Sequence, residues 1–420
     1  TDPIRFKGYQ VPFNTEDLVK EEIEKMLKMK IIEPSSAPYS SPIVMVIKPG
    51  KTPRFCVDFR QLNKLTVFDA EPLPNIESML VKFAGSVYFS KIDLTKGYWQ
   101  VPMDNESKDF TSFQSPSGLF RFNKMPFGLV NAPATFSRLM RIVLKDLTCV
   151  DNFVDDIIIH SKTWDTHMTD VALVLQRLRQ ANLTARPTKC FLGYKQIECV
   201  GYVIGESGTL EPIPDKVKAI QDIPIPQTKK QVRSFLGMVA FYSRFIPGYA
   251  NIAAPLTDLT KKMAPNKVSW AKCQDQAFNK LKDRLIKSPV LRVPNCKEQF
   301  ILRTDASDIG LGAVLGQDIN GCKQPVAYAS RKLLDREKNY TVMEKECLAV
   351  VWAIAKFHKY LFGQEFILET DHEPLLYINR SKLNNSRIMR WALALQPYRI
   401  TVRAIAGKEN RDADFLSRIG

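Results

Sequence analysis

Asp155 and Asp156 stand side by side in Asn152-Phe153-Val154-Asp155-Asp156-Ile157-Ile158-Ile159, two acids between apolar runs, a pattern that reads as strand, turn, strand. Such a turn pushes two carboxylates into one place. Like unit charges about 4 Å apart repel by roughly 4 kcal/mol at an effective dielectric near 20, so a fold gains nothing from assembling them unless a divalent cation neutralises them. Metal-assisted phosphoryl transfer is the commonest chemistry that needs this. A solvated Asp-Asp turn is the plain alternative. Asp93, a third acid, ends the strand predicted from Val87 to Ile92 and is either a partner of the pair or a solvated strand end.

These acids need elements to position them. Residues 14–32 predict an amphipathic helix, with Asn14 or Thr15 as cap and Leu18, Ile23, Leu27 and Ile31 near helical spacing. Ile43 to Ile47 and Phe55 to Phe59 predict strands joined by a basic turn from Lys48 to Pro53, and Pro133 to Leu144 predicts a helix. Past residue 205, prolines at 212, 214, 224 and 226 mark a link, followed by helices from Lys229 to Phe245 and from Gln274 to Lys287. From Phe300 the pattern predicts a strand to Asp305, strands at 310–315 and 325–330, a long helix from Thr341 to Leu361, and a fourth strand from Phe366 to Thr370 that runs into Asp371.

Composition narrows the chemistry. Sixty Lys and Arg against 44 Asp and Glu give a formal charge of +16, which suits a polyanionic partner. The chain has no apolar run long enough to span a bilayer and no leader pattern, so a soluble, unsecreted protein without a membrane partner is expected. Its eight cysteines include no Cys-x-x-Cys pair and read as reduced packing residues, while four histidines leave little for zinc hydrolysis or acyl transfer. The absence of a starting Met before Thr1 leads us to expect a piece of a longer polypeptide.

Longer motifs then carry a resemblance. Ser41-Pro42-Ile43-Val44, Arg54-Phe55-Cys56-Val57-Asp58-Phe59-Arg60-Gln61-Leu62-Asn63, Asp93-Leu94-Thr95-Lys96-Gly97-Tyr98, Met125-Pro126-Phe127-Gly128-Leu129 and Phe153-Val154-Asp155-Asp156 follow in order. That order resembles the reverse transcriptases of gypsy-type LTR retrotransposons. Ser234-Phe235-Leu236-Gly237, Thr304-Asp305-Ala306-Ser307, Glu344-Lys345-Glu346-Cys347-Leu348-Ala349, Thr370-Asp371-His372 and Ala413-Asp414-Phe415-Leu416-Ser417-Arg418 continue it into a thumb and a ribonuclease H.

The resemblance implies a multi-domain α+β and α/β chain: a right-hand polymerase of fingers and palm (1–205) and thumb and link (206–292), then a ribonuclease H-like domain (293–420). It implies DNA synthesis on RNA or DNA templates from a primer with dNTPs, and hydrolysis of the RNA strand of an RNA/DNA hybrid. Asp93 and Asp155, with the Leu94 carbonyl, would ligate two Mg²⁺ ions, Asp156 supporting them. Asp305, Glu346, Asp371 and Asp414 would hold two more, with Glu344 the competitor of Glu346 and Mn²⁺ able to substitute.

Arg54 and Lys48 or Lys51 would clamp the triphosphate, with Lys189 nearby, Tyr98 filtering the ribose 2′-hydroxyl, and Phe127 and Gly128 forming the pocket floor. A core tyrosine and solubility charges are the plain alternatives. Arg60 would touch template or merely pair with Asp58; Phe153, Gly201, Tyr202 and Arg244 would lie along primer or template. Relatives commonly carry Tyr where Phe153 stands, and no histidine separates His372 from Asp414. RNA/DNA hybrid and DNA duplex are the expected partners, in a cytoplasmic virus-like particle or in the nucleus, with monomer and homodimer both open. Rival readings are a host-adopted, catalytically silent nucleic-acid-binding protein and an unprimed RNA-copying polymerase.

Overall fold

The computed structural model describes residues 9, 12–46, 53–319, 321–370 and 386–405. The chain divides into two compact units, one formed by Thr1–Met79 and Tyr88–Lys195, the other by Leu80–Val87 and Gln196–Gly420.

The first unit is organised by a four-stranded antiparallel sheet in the order Val150–Phe153, Asp156–Ser161, Tyr88–Asp93, Phe191–Tyr194. Ile157, Ile158 and Ile159 are fully buried, which is why three successive apolar residues make the inner strand. The helices Ala132–Val143 and Trp164–Gln180 close a core that includes Ile92, Phe136, Met140, Ile157, Ile159 and Val174. A second core gathers Val19, Ile23 and Met26 of the helix Phe13–Lys28 against Phe113, Phe120 and Phe122. Ile43–Val46 and Arg54–Val57 pair as the expected basic hairpin, its tip lying outside the described residues.

The first helix departs from expectation at both ends. Pro12 stands at its N-cap without a side-chain cap bond, and the Thr15 hydroxyl donates back to the Pro12 carbonyl at 2.9 Å. It stops at Lys28, because Lys30 takes a left-handed φ of 55° and Ile31 turns into the next strand.

The second unit begins with an antiparallel sheet, Gln196–Cys199, Tyr202–Gly205, Thr209–Pro212 and Leu291–Arg292. Between its last two strands run the helices Pro214–Gln221, Lys229–Phe241, Tyr249–Asp258 and Lys272–Ile286. The proline-marked link is therefore partly strand, paired to a segment distant in sequence. A five-stranded sheet follows in the order Cys322–Lys332, Gly310–Ile319, Phe300–Ala306, Glu365–Thr370, Arg399–Ala404; the last three run parallel and the others antiparallel. The expected long helix is two, Val342–Lys356 and His358–Leu361, broken at Phe357.

The eight cysteines are free thiols, as expected of reduced residues. Their reading as packing residues fails for Cys56, Cys273, Cys296 and Cys322, which are exposed; Cys199 and Cys347 are the buried ones. Among the described residues no helix is long and apolar enough to cross a membrane.

Candidate active sites

The acidic hairpin forms as its sequence implies. Phe153 pairs with Asp156, leaving Val154 and Asp155 as a two-residue turn. Val154 takes φ 55°, unfavourable for a β-branched side chain, so the turn carries local strain where Asp155 is presented. Asp156 in turn pairs across the sheet with Asp93. Cross-strand partners share a face, so Asp93 and Asp156 emerge together, with Asp155 at the exposed tip beside them.

Two lysines offset this charge. Lys91 lies on the same face as Asp93, and its Nζ meets Asp156 Oδ2 at 2.7 Å; Lys189 Nζ meets Asp93 Oδ2 at 3.3 Å. Surrounding protein partly strips water from the Asp155 carboxyl and raises its pKa, and the charges of Asp156 and Asp93 add to the rise. Lys91 was missed by sequence reasoning, although its place two residues before Asp93 puts it on the same face.

The fit to magnesium is that of an open site. Among the described residues no cluster of three or more Asp, Glu, His or Cys side chains is arranged to hold a metal by itself. Mg²⁺ usually takes one or two carboxylates, with water and substrate phosphate completing its shell, so the oxygen donors of Asp93, Asp155 and the Leu94 backbone suit it.

Around the carboxylates, Tyr98 sits in a short turn, Gly97–Gln100, with its ring 5.1 Å from Phe127 and 5.4 Å from Phe136. Burial raises its phenol pKa, and the charge of Asp155 adds to this. Phe127 is half-exposed. Gly128 takes φ 98°, the reason for glycine there, and its carbonyl accepts from the Asn63 amide at 2.8 Å. Arg54 opens its strand, exposed; Lys48 and Lys51 lie outside the described residues. Arg60 forms an ion pair with Asp58, its Nη2 2.6 Å from Asp58 Oδ2, and holds the Asp58 carboxyl well below the usual range.

Gly201, Tyr202 and Arg244 belong to the second unit. Val200 (φ 46°) and Gly201 (φ 90°) form the turn before Tyr202. Tyr202 is buried, stacked on Phe241 at 5.2 Å, and its hydroxyl donates to the Phe241 carbonyl. Its side chain packs inside the unit. Arg244 reaches the Val326 carbonyl at 3.5 Å.

In the five-stranded sheet, Asp305 lies on Phe300–Ala306 and Glu346 on the helix Val342–Lys356, both buried. The Ala306 amide donates to Glu346 Oε1 at 3.2 Å, which brings Glu346 beside Asp305. Glu344 is occupied elsewhere: it accepts from the Thr341 amide at 2.9 Å as part of a capping box and pairs with Arg387 at 2.7 Å. Asp371 and Asp414 lie outside the described residues, as does His372. Lys345, paired with Asp308 at 2.6 Å, had no sequence signal.

Residues 46–204 match the family model "Reverse transcriptase (RNA-dependent DNA polymerase)", and residues 295–398 match "RNase H-like domain found in reverse transcriptase". The chain is 40% identical over 426 residues to a retrovirus-related Pol polyprotein from transposon 297 of Drosophila melanogaster, covering 99% of this chain and 40% of that polyprotein. It is 35% identical over 439 residues to the Pol polyprotein from transposon gypsy of the same organism, covering 99% and 42%. It thus spans less than half the length of these relatives. The fold is similar to that of a foamy viral protease-reverse transcriptase solved in complex with RNA/DNA hybrid, with TM-score 0.80, 22% identity, and coverage of 100% of this chain and 57% of that one.

Proposed function

We propose a function on the premise that this chain belongs to the reverse transcriptase and RNase H family of gypsy-type LTR retrotransposon Pol polyproteins. It extends a primer with dNTPs on an RNA or DNA template and hydrolyses the RNA strand of the hybrid. The observation that carries the polymerase reading is the shared face of Asp93 and Asp156, with Asp155 at the tip beside them.

Bound by Asp93, Asp155 and the Leu94 carbonyl, Mg²⁺ would supply activation of the primer 3′ oxygen and neutralisation of the triphosphate. The chain's own groups do the rest. Lys189 and Arg54 draw the anionic triphosphate by charge, Tyr98 and Phe127 fill the space a ribose 2′-hydroxyl would need, and Gly128 leaves the pocket floor open. In the second unit Asp305 and Glu346, joined by Asp371 and Asp414, would hold magnesium for attack by water. The net charge of +16 favours sequence-independent contact with RNA/DNA hybrid or DNA duplex. A virus-like particle in the cytoplasm is the proposed setting.

A labelled RNA template with a DNA primer, Mg²⁺ and dNTPs tests both reactions in one gel. Extended primer and shortened RNA are expected. No extension would sink the polymerase reading, and intact RNA in the extended hybrid would sink the hydrolase reading.

A further inference from the structure

Behind the carboxylates of the four-stranded sheet runs a chain of hydrogen bonds that the proposed chemistry does not use. Side chains alternate along a strand, so Ser90 faces away from Asp93, and Ser161 away from Asp156. On that rear face His167, from the helix Trp164–Gln180, reaches both hydroxyls: Nε2 is 2.7 Å from Ser90 Oγ and Nδ1 is 3.0 Å from Ser161 Oγ. Ser161 Oγ donates to Asp170 Oδ2 at 2.6 Å, and the Gly193 amide donates to Ser90 Oγ at 2.9 Å. Ser90, His167 and Ser161 are all buried.

With a neutral imidazole the protons have one consistent arrangement. Ser161 gives its only hydroxyl proton to Asp170, so it accepts from His167 Nδ1–H. Nε2 is then bare and accepts from Ser90, whose oxygen receives the Gly193 N–H. Burial favours that neutral form, holding the His167 pKa below the usual histidine value despite the opposing charge of Asp170. Every donor is matched, from an amide of the edge strand to a carboxylate of the helix.

The element this chain fixes is the edge strand Phe191–Tyr194. Its register against Tyr88–Asp93 shifts between the pairs Phe89↔Tyr194 and Lys91↔Phe191, and Gly193 lies within the irregularity. Gly193 takes φ 72°, and a Cβ there would come 2.7 Å from the Trp164 ring, so only glycine lets the strand seat. A bulge leaves an amide outside the regular ladder, and Ser90 receives it. Shortly before this strand, Lys189 meets Asp93.

We propose that His167 is a positioning residue: together with Ser90, Ser161 and Asp170 it sets the register of Phe191–Tyr194 and so holds Lys189 against the Asp93 carboxylate, where the nucleotide triphosphate enters. The link to the nucleotide rests on the polymerase reading above; the link to register does not.

Single-nucleotide extension by the full chain tests the first link, using wild type, His167→Ala, Lys189→Ala and the double variant. His167→Ala should raise KM for the dNTP severalfold while changing kcat little, and should add nothing in the Lys189→Ala background. An unchanged KM, or effects that multiply in the double variant, overturns the proposal. Amide hydrogen exchange tests register without catalysis. In Ser90→Ala and His167→Ala the Gly193 amide should exchange faster while Ile157 to Ile159 stay protected. Unchanged exchange at Gly193, or equal loss across the sheet, overturns it. Wild-type protein that binds hybrid yet never extends a primer would defeat the polymerase reading instead, and exchange would still decide the register claim.

Discussion

Asp93 and Asp156 face each other as a cross-strand pair, each held by a lysine, Lys189 at 3.3 Å and Lys91 at 2.7 Å. Like charges directly opposite destabilise a sheet, and the two ammonium groups offset that repulsion on the protein's own account.

Asp155 adds a charge that the metal-free protein gains nothing from. Its carboxyl pKa is raised in the folded chain, chiefly by partial loss of water and then by Asp156 and Asp93, so the folded state binds that proton more tightly than the unfolded one. Stability from this group therefore falls as pH rises above the ordinary aspartate value of about 3.9. Metal-free Asp155→Asn should be slightly more stable than wild type at neutral pH, with the difference vanishing in acid. Urea unfolding at both pH values checks this, and a less stable variant at neutral pH contradicts it. The same variant should lose primer extension by about 10²-fold or more.

Glu344 and Glu346 should separate cleanly. Glu346→Gln should abolish RNA cleavage and leave primer extension standing. Glu344→Ala removes the reciprocal acceptor of the capping box and the Arg387 partner, so it should lower unfolding stability by about 1–3 kcal/mol while preserving cleavage at low temperature. Cleavage gels beside thermal melts read both, and exchanged phenotypes would reverse the assignment.

Glu369 is fully buried between Lys323 at 2.6 Å and Arg303 at 2.7 Å. Burial pushes its pKa up, but the bonds from Lys323 and Arg303 outweigh this and leave it below the usual glutamate range. Its contribution is present above the unfolded glutamate pKa of about 4.3 and is lost as pH falls through the lower folded value. Glu369→Gln should cost about 1–3 kcal/mol at pH 7, because it turns the charge-assisted bonds to Arg303 and Lys323 into neutral ones. Denaturant unfolding from pH 7 down to pH 3 should show the gap to wild type closing only at the acid end.

Tyr98 packs between Phe127 and Phe136. Tyr98→Ala should raise ribonucleotide incorporation relative to dNTP by roughly tenfold or more, and Phe136→Leu, which loosens the ring from behind, by less. Competition assays with matched dNTP and NTP measure the ratio. Unchanged discrimination in Tyr98→Ala would remove its role as a filter.

Much of the site was legible because its signals are local. The Asp155 hairpin, the strand ending in Asp93 and the strand carrying Asp305 each follow from apolar runs cut by polar residues, since side-chain alternation and turn chemistry act over a few positions. The helix from Thr341 was legible for the same reason, its break at Phe357 was not, and the strand Arg399–Ala404 escaped notice.

By itself the sequence determined which acids exist, which turn joins Asp155 to Asp156, and that the chain carries excess positive charge. Only the tertiary structure decided that Lys189 meets Asp93 across 96 positions, that Glu344 is taken up by Arg387, and that Glu346 neighbours Asp305. It also joined Ser90 to His167 across 77 positions. The physical reason is strand register: a slip of one residue turns every side chain to the opposite face, and register is set by packing between distant segments that no local spacing records.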